Sequence, residues 1–296
     1  MIRLEGVSKS FEGVQALAPT DLEVRSGEYL ALLGRNGSGK TTLLRMLVGL
    51  SQPSDGQLLL GGELPRAANW RAFHRRLGFM PEKVVFHENL TGVRTLRFYA
   101  RLRGIEVAEV DPMLDRVGLR DAANKKVGAY SKGMRQRLNL AQALLGEPDV
   151  LVLDEPLEGL DSHGVRRFFE LVDSVEGRTV VFSSHRLSEV SGAADRICIL
   201  RRGAVRALGT ESELRGELEL PLRVILRASP HRDRELQAAL SRLSTAIVAG
   251  KNGSIVISVP QDNKIPCLAE LSSFSAAIEE LRFEEPTLEE VLAETD

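Results

Sequence analysis

GRNGSGKTT, residues 34 to 42, constrains the fold of this chain more than any other stretch. It follows EYLALLG (28 to 34), an aliphatic run that reads as a buried strand, and it opens the helical run TLLRMLVG. That order matches G-x-x-x-x-G-K-[ST] in the strand, loop, helix context the pattern requires. Gly34, Gly37 and Gly39 let backbone N–H groups curl round phosphate oxygens, and the helix N-terminus adds positive dipole. Lys40 is placed to reach the β- and γ-phosphates of a nucleotide and Thr41 to ligate magnesium; Asn36, Ser38 and Thr42 complete the candidate loop.

A chain with such a loop has to surround it with βαβ units, and to about residue 215 short apolar runs do alternate with helical patterns. The expectation is a mixed or parallel sheet. DVLVLDE (149 to 155), TVVFSSH (179 to 185) and DRICILRRG (195 to 203) read as further strands. Between 91 and 127, VRTLRFYARLRG and VDPMLDRVGL have helical spacing without a strand, which suggests a helical insert spanning about 83 to 145.

Residues 216 to 296 read as a second, α+β unit. LRVILRA (222 to 228) suggests a strand, RDRELQAALSRL (232 to 243) an amphipathic helix, and STAIVAGKNGSIVISV (244 to 259) a hairpin turning at Asn252-Gly253. KIPCLAELSSF and AAIEELRF supply a helix and a strand. The resulting βαββαβ order is that of a ferredoxin-like fold. Thr287 and Glu290 form a capping box for a short terminal helix.

A second chemical site lies at the end of VLVLDEP. Asp154 is placed to hold a magnesium shell, and Glu155 to polarise water as a general base. Phosphoryl transfer needs both roles, charge neutralisation and orientation of an in-line nucleophile. Late in the insert, Ser131-Lys132-Gly133 opens a long helix leading into this acidic strand, and its hydroxyl, glycine amide and helix N-terminus make another anion site.

Composition narrows the function class. With a net charge of -2 the chain lacks the basic character of a general nucleic-acid binder. Cys198 and Cys267 are far apart, without CxxC spacing, so neither a disulfide framework nor a zinc site is suggested and a reducing cytoplasm fits. No apolar run approaches the ~18 residues of a membrane span, so any work at a membrane requires partner subunits.

Taken in order, these motifs resemble the ATP-binding subunits of ABC transporters. The family's signature loop, usually LSGGQ, stands here as Tyr130-Ser131-Lys132-Gly133-Met134. The resemblance covers about residues 1 to 215 and implies a P-loop ABC-type ATPase using ATP and Mg2+. It implies a head-to-tail homodimer with ATP between the first loop of one subunit and Ser131 and Gly133 of the other. It further implies that His185 touches the γ-phosphate, that Asp161 crosses the dimer interface and that Phe11 stacks on adenine. Ser162-His163 replaces the proline often found after Asp161, and Leu157-Glu158 replaces a small polar pair.

LGFMPE (77 to 82) aligns with the segment in which the family carries a glutamine that reaches the metal and the attacking water. This chain has Glu82, a carboxylate expected to bind magnesium more strongly than an amide. KVVFHENLTG is then the surface that an integral membrane permease touches. LGFMPEKVVFHENLTGVRTLRFYARLRG, YSKGMRQRLNLAQALLGEPDVLVLDEP and LPLRVILRAS are similar to the ATPases of Nos-type transporters, which support copper-site assembly in nitrous-oxide reductase. That group implies an ATPase pair on the cytoplasmic face of the cell membrane, permease subunits, and a periplasmic partner reached through them. An ATPase of a type-2 exporter for drugs or lipids shares every catalytic motif, and a soluble, non-transport ABC ATPase is the third reading.

Overall fold

Two sheets of different character build the first unit of the chain, Met1–Glu211. The structure is a computed structural model describing residues 2–65, 67–173, 177–217, 222–228, 246–249, 254–275 and 278–284. Strands β1 (Ile2–Phe11), β2 (Val14–Val24) and β4 (Asp55–Leu60) form an antiparallel sheet in the order β2-β1-β4. This antiparallel sheet is additional to the expected mixed or parallel one. Register shifts at Leu4/Val7, Val7/Lys9 and Lys9/Ser10 break the two-residue alternation of β1, so its periodicity does not announce a strand.

The second sheet holds the aliphatic runs: β3 (Tyr29–Leu33), β5 (Leu77–Met80), β6 (Val150–Leu153), β7 (Thr179–Ser184), β8 (Arg196–Arg201) and β9 (Ala204–Gly209), in the order β5-β6-β7-β3-β8-β9. All pairs are parallel except β8 with β9. Every residue of β7 is buried, as is all of β3 and β6 but the first residue of each. Covering on both faces explains the continuous rather than alternating hydrophobicity.

Helix α1 (Lys40–Leu47) belongs to the core that joins both sheets. Its Leu43, Leu44, Met46 and Leu47 cluster with Leu4, Val7, Leu17 and Leu22 of the antiparallel sheet and Leu30, Leu32, Val181 and Cys198 of the other. Helix α2 (Ala67–Arg75) precedes β5. Between β5 and β6 the described elements are α3 (Gly92–Arg103), α4 (Val110–Arg116), α5 (Lys132–Leu144) and short 3-10 turns. Thr91 caps α3, its side chain accepting from Arg94 N at 3.3 Å. Helix α6 (Ser162–Val172) joins β6 to β7, and α7 (Glu211–Glu217) follows β9.

The second unit, Ser212–Asp296, contains β10 (Leu222–Ala228), β11 (Ala246–Ala249), β12 (Ile255–Val259), α8 (Lys264–Ser273) and β13 (Ile278–Glu284). Its sheet is antiparallel in the order β11-β12-β10-β13. Leu222, Val224, Leu226, Ile255, Ile257 and Val259 pack with Cys267 and Leu271 of α8. The expected helix at 232 to 243, the Asn252-Gly253 turn and the terminal helix with its Thr287–Glu290 box lie outside the described residues. No helix among the described residues is long and apolar enough to cross a membrane.

Candidate functional site

Strand register gathers the chemistry on one edge. Leu33 pairs with Ser184, Leu153 with Phe182, and Met80 with Leu153. The segments that follow these strands therefore leave the sheet together: the loop from Gly34, the Asp154-Glu155 pair, His185 and Glu82. In open α/β sheets this carboxyl edge is where ligands bind.

A cleft of about 570 Å3 opens there, lined by Phe11, Gln15, Ala16, Asn36, Gly37, Ser38, Gly39, Lys40, Thr41, Thr42, Glu82, Glu155, Arg202 and Gly203. The loop needs its glycines. A Cβ on Gly34 would lie 2.3 Å from Leu200 O and 2.6 Å from Ser38 Oγ, and one on Gly39, where φ is +105°, 2.9 Å from Ala16 O. Lys40 is 5% exposed; its Nζ donates to Gly34 O at 2.5 Å and Arg35 O at 3.3 Å. The same ammonium lies 3.2 Å from Glu155 Oε1.

Glu155 is held from three directions. Its Oε2 is 2.9 Å from His185 Nδ1, its Oε1 faces Lys40, and its backbone N–H donates to Ser183 Oγ at 2.8 Å. The backbone has φ +48°, a left-handed conformation that costs a non-glycine residue about 1 kcal/mol and collects at functional sites. Asp154, 3% exposed, accepts from Ser183 Oγ at 2.7 Å. Ser38 Oγ is buried without a hydrogen-bond partner, Glu155 Oε1 has only the Lys40 ammonium beside it, and both residues line the cleft. The hydroxyls of Ser38 and Thr41 and the carboxylates of Glu82, Asp154 and Glu155 are hard oxygen donors of the kind that suits magnesium.

Known proteins decide the family. Residues 17–158 match the family model described as ABC transporter. YdbJ of Bacillus subtilis, an uncharacterized ABC transporter ATP-binding protein, is 34% identical over 269 residues, which are 89% of this chain and 84% of that protein. The chain belongs to the ABC transporter family, as an ATP-binding protein. Its activity is ATP hydrolysis by the nucleotide-binding cassette. The daunorubicin resistance ATP-binding protein DrrA3 of Streptomyces coeruleorubidus is 34% identical over 302 residues, covering 98% of this chain and 94% of its own. A solved ATP-binding subunit of an ABC transporter superposes with a TM-score of 0.67 at 28% identity, over 74% of this chain and 93% of that one.

Of the expected site residues, Phe11, Asn36 to Thr42, Glu82 and Glu155 line the cleft; His185 joins them through Glu155 Oε2 and Asp154 through Ser183, whereas Gly34, Ser131, Gly133 and Asp161 are not on the cleft wall. Ser131 is exposed and caps α5, accepting from Met134 N at 3.2 Å. Tyr130, 4% exposed, anchors the turn before α5 by donating to Ala122 O at 2.7 Å; burial raises its phenol above the usual range. Asp161 caps α6, accepting from Gly164 N at 2.8 Å. Two departures from the family pattern meet: Lys132 Nζ lies 3.2 Å from Glu158 Oε1.

Sequence reading missed Gln15, Ala16, Arg202, Gly203 and Ser183. The β8–β9 turn carrying Arg202 is stapled to the cleft: Gly203 N donates to Ser38 O at 3.0 Å, and Ala18 N to Gly203 O at 2.6 Å. The Arg-Arg-Gly turn was visible in the sequence, whereas nothing in the spacing marked Gln15 or Ala16. Lys9 Nζ lies 5.0 Å from the centroid of the half-exposed Phe11 ring, within cation–π range.

Proposed function

We propose that this ABC transporter ATP-binding subunit is a magnesium-dependent ATPase that works as a homodimer on the cytoplasmic side of a membrane permease. The observation that carries the reading is Glu155, held between Lys40 and His185 at the wall of a glycine-lined cleft. ATP enters with adenine against Phe11 and its phosphates along the loop from Asn36 to Thr42. The Lys40 side chain exchanges its ion-pair partner, turning from Glu155 to the γ-phosphate. Glu155 takes a proton from the attacking water as the new P–O bond forms and the β–γ bridge breaks, leaving ADP and phosphate. Thr41, Asp154 and Glu82 hold magnesium, which when bound supplies charge neutralisation at the phosphates. His185 orients Glu155 and contacts the γ-phosphate side.

Ser131, Gly133 and Asp161 serve the partner's nucleotide in a head-to-tail dimer. Their place away from the cleft of their own chain supports this. The segment from Lys83 to Gly92 is the contact for the permease; Val85 there is 94% exposed. The second unit, with its β11-β12-β10-β13 order and α8 after β12, is read as ferredoxin-like.

Two cargo readings share this machinery. The relative named for daunorubicin resistance matches over 98% of this chain and favours the reading as a type-2 exporter for drugs or lipids. The stretches similar to Nos-type ATPases favour copper-site assembly of nitrous-oxide reductase, with a periplasmic partner. Expression with the cognate permease separates them: the first predicts daunorubicin efflux lost in Glu155→Gln, the second a copper-deficient reductase in that variant. The ATPase reading itself is tested by Glu155→Gln in the purified chain. Hydrolysis is expected to fall by at least about 100-fold with ATP still bound; a rate within about twofold of wild type removes Glu155 as the base.

A further inference from the structure

We propose that Ser183 is a positioning residue that sets the two carboxylates of the site relative to each other, an inference that rests on the ATPase reading above. Ser183 lies in β7, one strand over from the acidic pair, with 0% exposure. Its hydroxyl donates to Asp154 Oδ1 at 2.7 Å and accepts from Glu155 N at 2.8 Å. A serine hydroxyl has one hydrogen to give, and here it goes to the carboxylate while a lone pair takes the amide. One buried atom therefore bridges a candidate metal ligand and the backbone of the candidate base.

Each bond fixes something different. Holding Oδ1 of Asp154 fixes the carboxylate plane, and so the direction of Oδ2. Hydrogen bonds that orient ligating carboxylates tune metal affinity even though they never touch the metal. Binding Glu155 N stabilises the left-handed backbone, φ +48°, that carries the Glu155 side chain between Lys40 and His185. Parallel pairing of Leu153 with Phe182 keeps the two strands in the register that this bridge requires. The neighbouring Ser184 serves another purpose: its hydroxyl donates to Glu189 Oε2 at 2.6 Å and accepts from Arg186 N at 3.0 Å, shaping the turn after His185.

The test is Ser183→Ala in the full chain, with fluorescent ATP analogue binding measured in EDTA and during Mg2+ titration, and with Mn2+ affinity measured beside a non-hydrolysable ATP analogue. Nucleotide binding in EDTA is expected to stay within about twofold of wild type, while Mn2+ affinity and kcat each fall about 10-fold or more. A purely structural serine would move the melting temperature and leave Mn2+ affinity unchanged in the folded fraction. Unchanged Mn2+ affinity and kcat overturn the proposal. Should Ser183→Ala fail to fold, Ser183→Thr and Ser183→Val carry the test, since they match in volume and differ by the hydroxyl. Thr is expected to retain metal affinity that Val loses, and equal behaviour of the two overturns the proposal. Glu155→Gln runs alongside: if it hydrolyses ATP normally, the underlying reading fails, whereas its loss with an unaffected Ser183→Ala sinks this inference alone.

Discussion

Lys40 sits between two anions, one present and one to come. Its ammonium is shared among Gly34 O, Arg35 O and Glu155 Oε1, at 2.5, 3.3 and 3.2 Å. A triphosphate carries more negative charge than a single carboxylate and competes for the same cation. Lys40→Ala removes that attraction, and a charged hydrogen bond is worth about 1.5–3 kcal/mol, so ATP affinity is expected to fall about 10- to 100-fold by equilibrium binding. Unchanged affinity would count against the phosphate-loop assignment. At the other end of the cleft, Phe11→Ala is expected to weaken ATP binding about tenfold, since one base–aromatic stack is worth ~1–3 kcal/mol, while Phe11→Tyr keeps it. Equal loss for ATP and inorganic triphosphate would show that the ring does not meet the base.

At the scale of elements, α5, which Ser131 caps, is tied to β5 and to the segments after β5 and β6 through three side-chain amides on one face. Gln136 Nε2 donates to Pro156 O at 2.6 Å, Asn139 Nδ2 to Pro81 O at 2.9 Å, and Gln142 Nε2 to Phe79 O at 2.7 Å. Phe79 lies inside β5, at the edge of its sheet, Pro81 directly follows β5, and Pro156 lies in the segment after β6, so these backbone acceptors need partners from outside the ladder. Asn139, 3% exposed, lies next to Glu82 through Pro81. Asn139→Leu matches the side chain roughly in volume but leaves the Pro81 carbonyl unpaired, and is expected to destabilise the fold by about 1–3 kcal/mol in urea unfolding. A midpoint unchanged from wild type would show that water replaces the amide without loss. In the sequence these three polar residues look like a solvated helix face, and only the carbonyls of Phe79 and Pro81 opposite them explain why Asn139 and Gln142 are buried. The strands β3, β6 and β7 were legible because burial on both faces leaves an unbroken aliphatic run. β1 was not, because its bulges scramble the alternation that marks a one-sided strand.

For the whole molecule, the cleft was legible wherever a backbone constraint forces a residue type: the glycines of the loop, Lys40, and the acids after β6. Ser183, Gln15 and Arg202 were not, because their roles arise from neighbours distant in sequence, and a serine inside a valine-rich strand has no local signature. Burial of such groups also sets how the protein answers to pH. Burial pushes the Cys198 thiol up from its ordinary 9.0 to about 12. The Tyr29 phenol is raised by burial and by its hydrogen bond to Asp173, and burial raises Tyr99 and Tyr130 as well. In each case the folded chain keeps a proton that the unfolded chain gives up first. The unfolded state therefore binds fewer protons above about pH 9, and stability must fall as pH rises, by up to ~1.4 kcal/mol per pH unit for each group in its window. Below that window these groups contribute no slope. Urea midpoints are expected to hold from about pH 7 to 8.5 as far as these groups are concerned and to drop steeply toward pH 11. Cys198→Ala, though less stable at neutral pH because it opens a cavity in the core, should show a shallower alkaline decline between pH 9 and 12 than wild type. Parallel declines in the two proteins would mean that Cys198 ionises as readily in the folded chain as in the unfolded one.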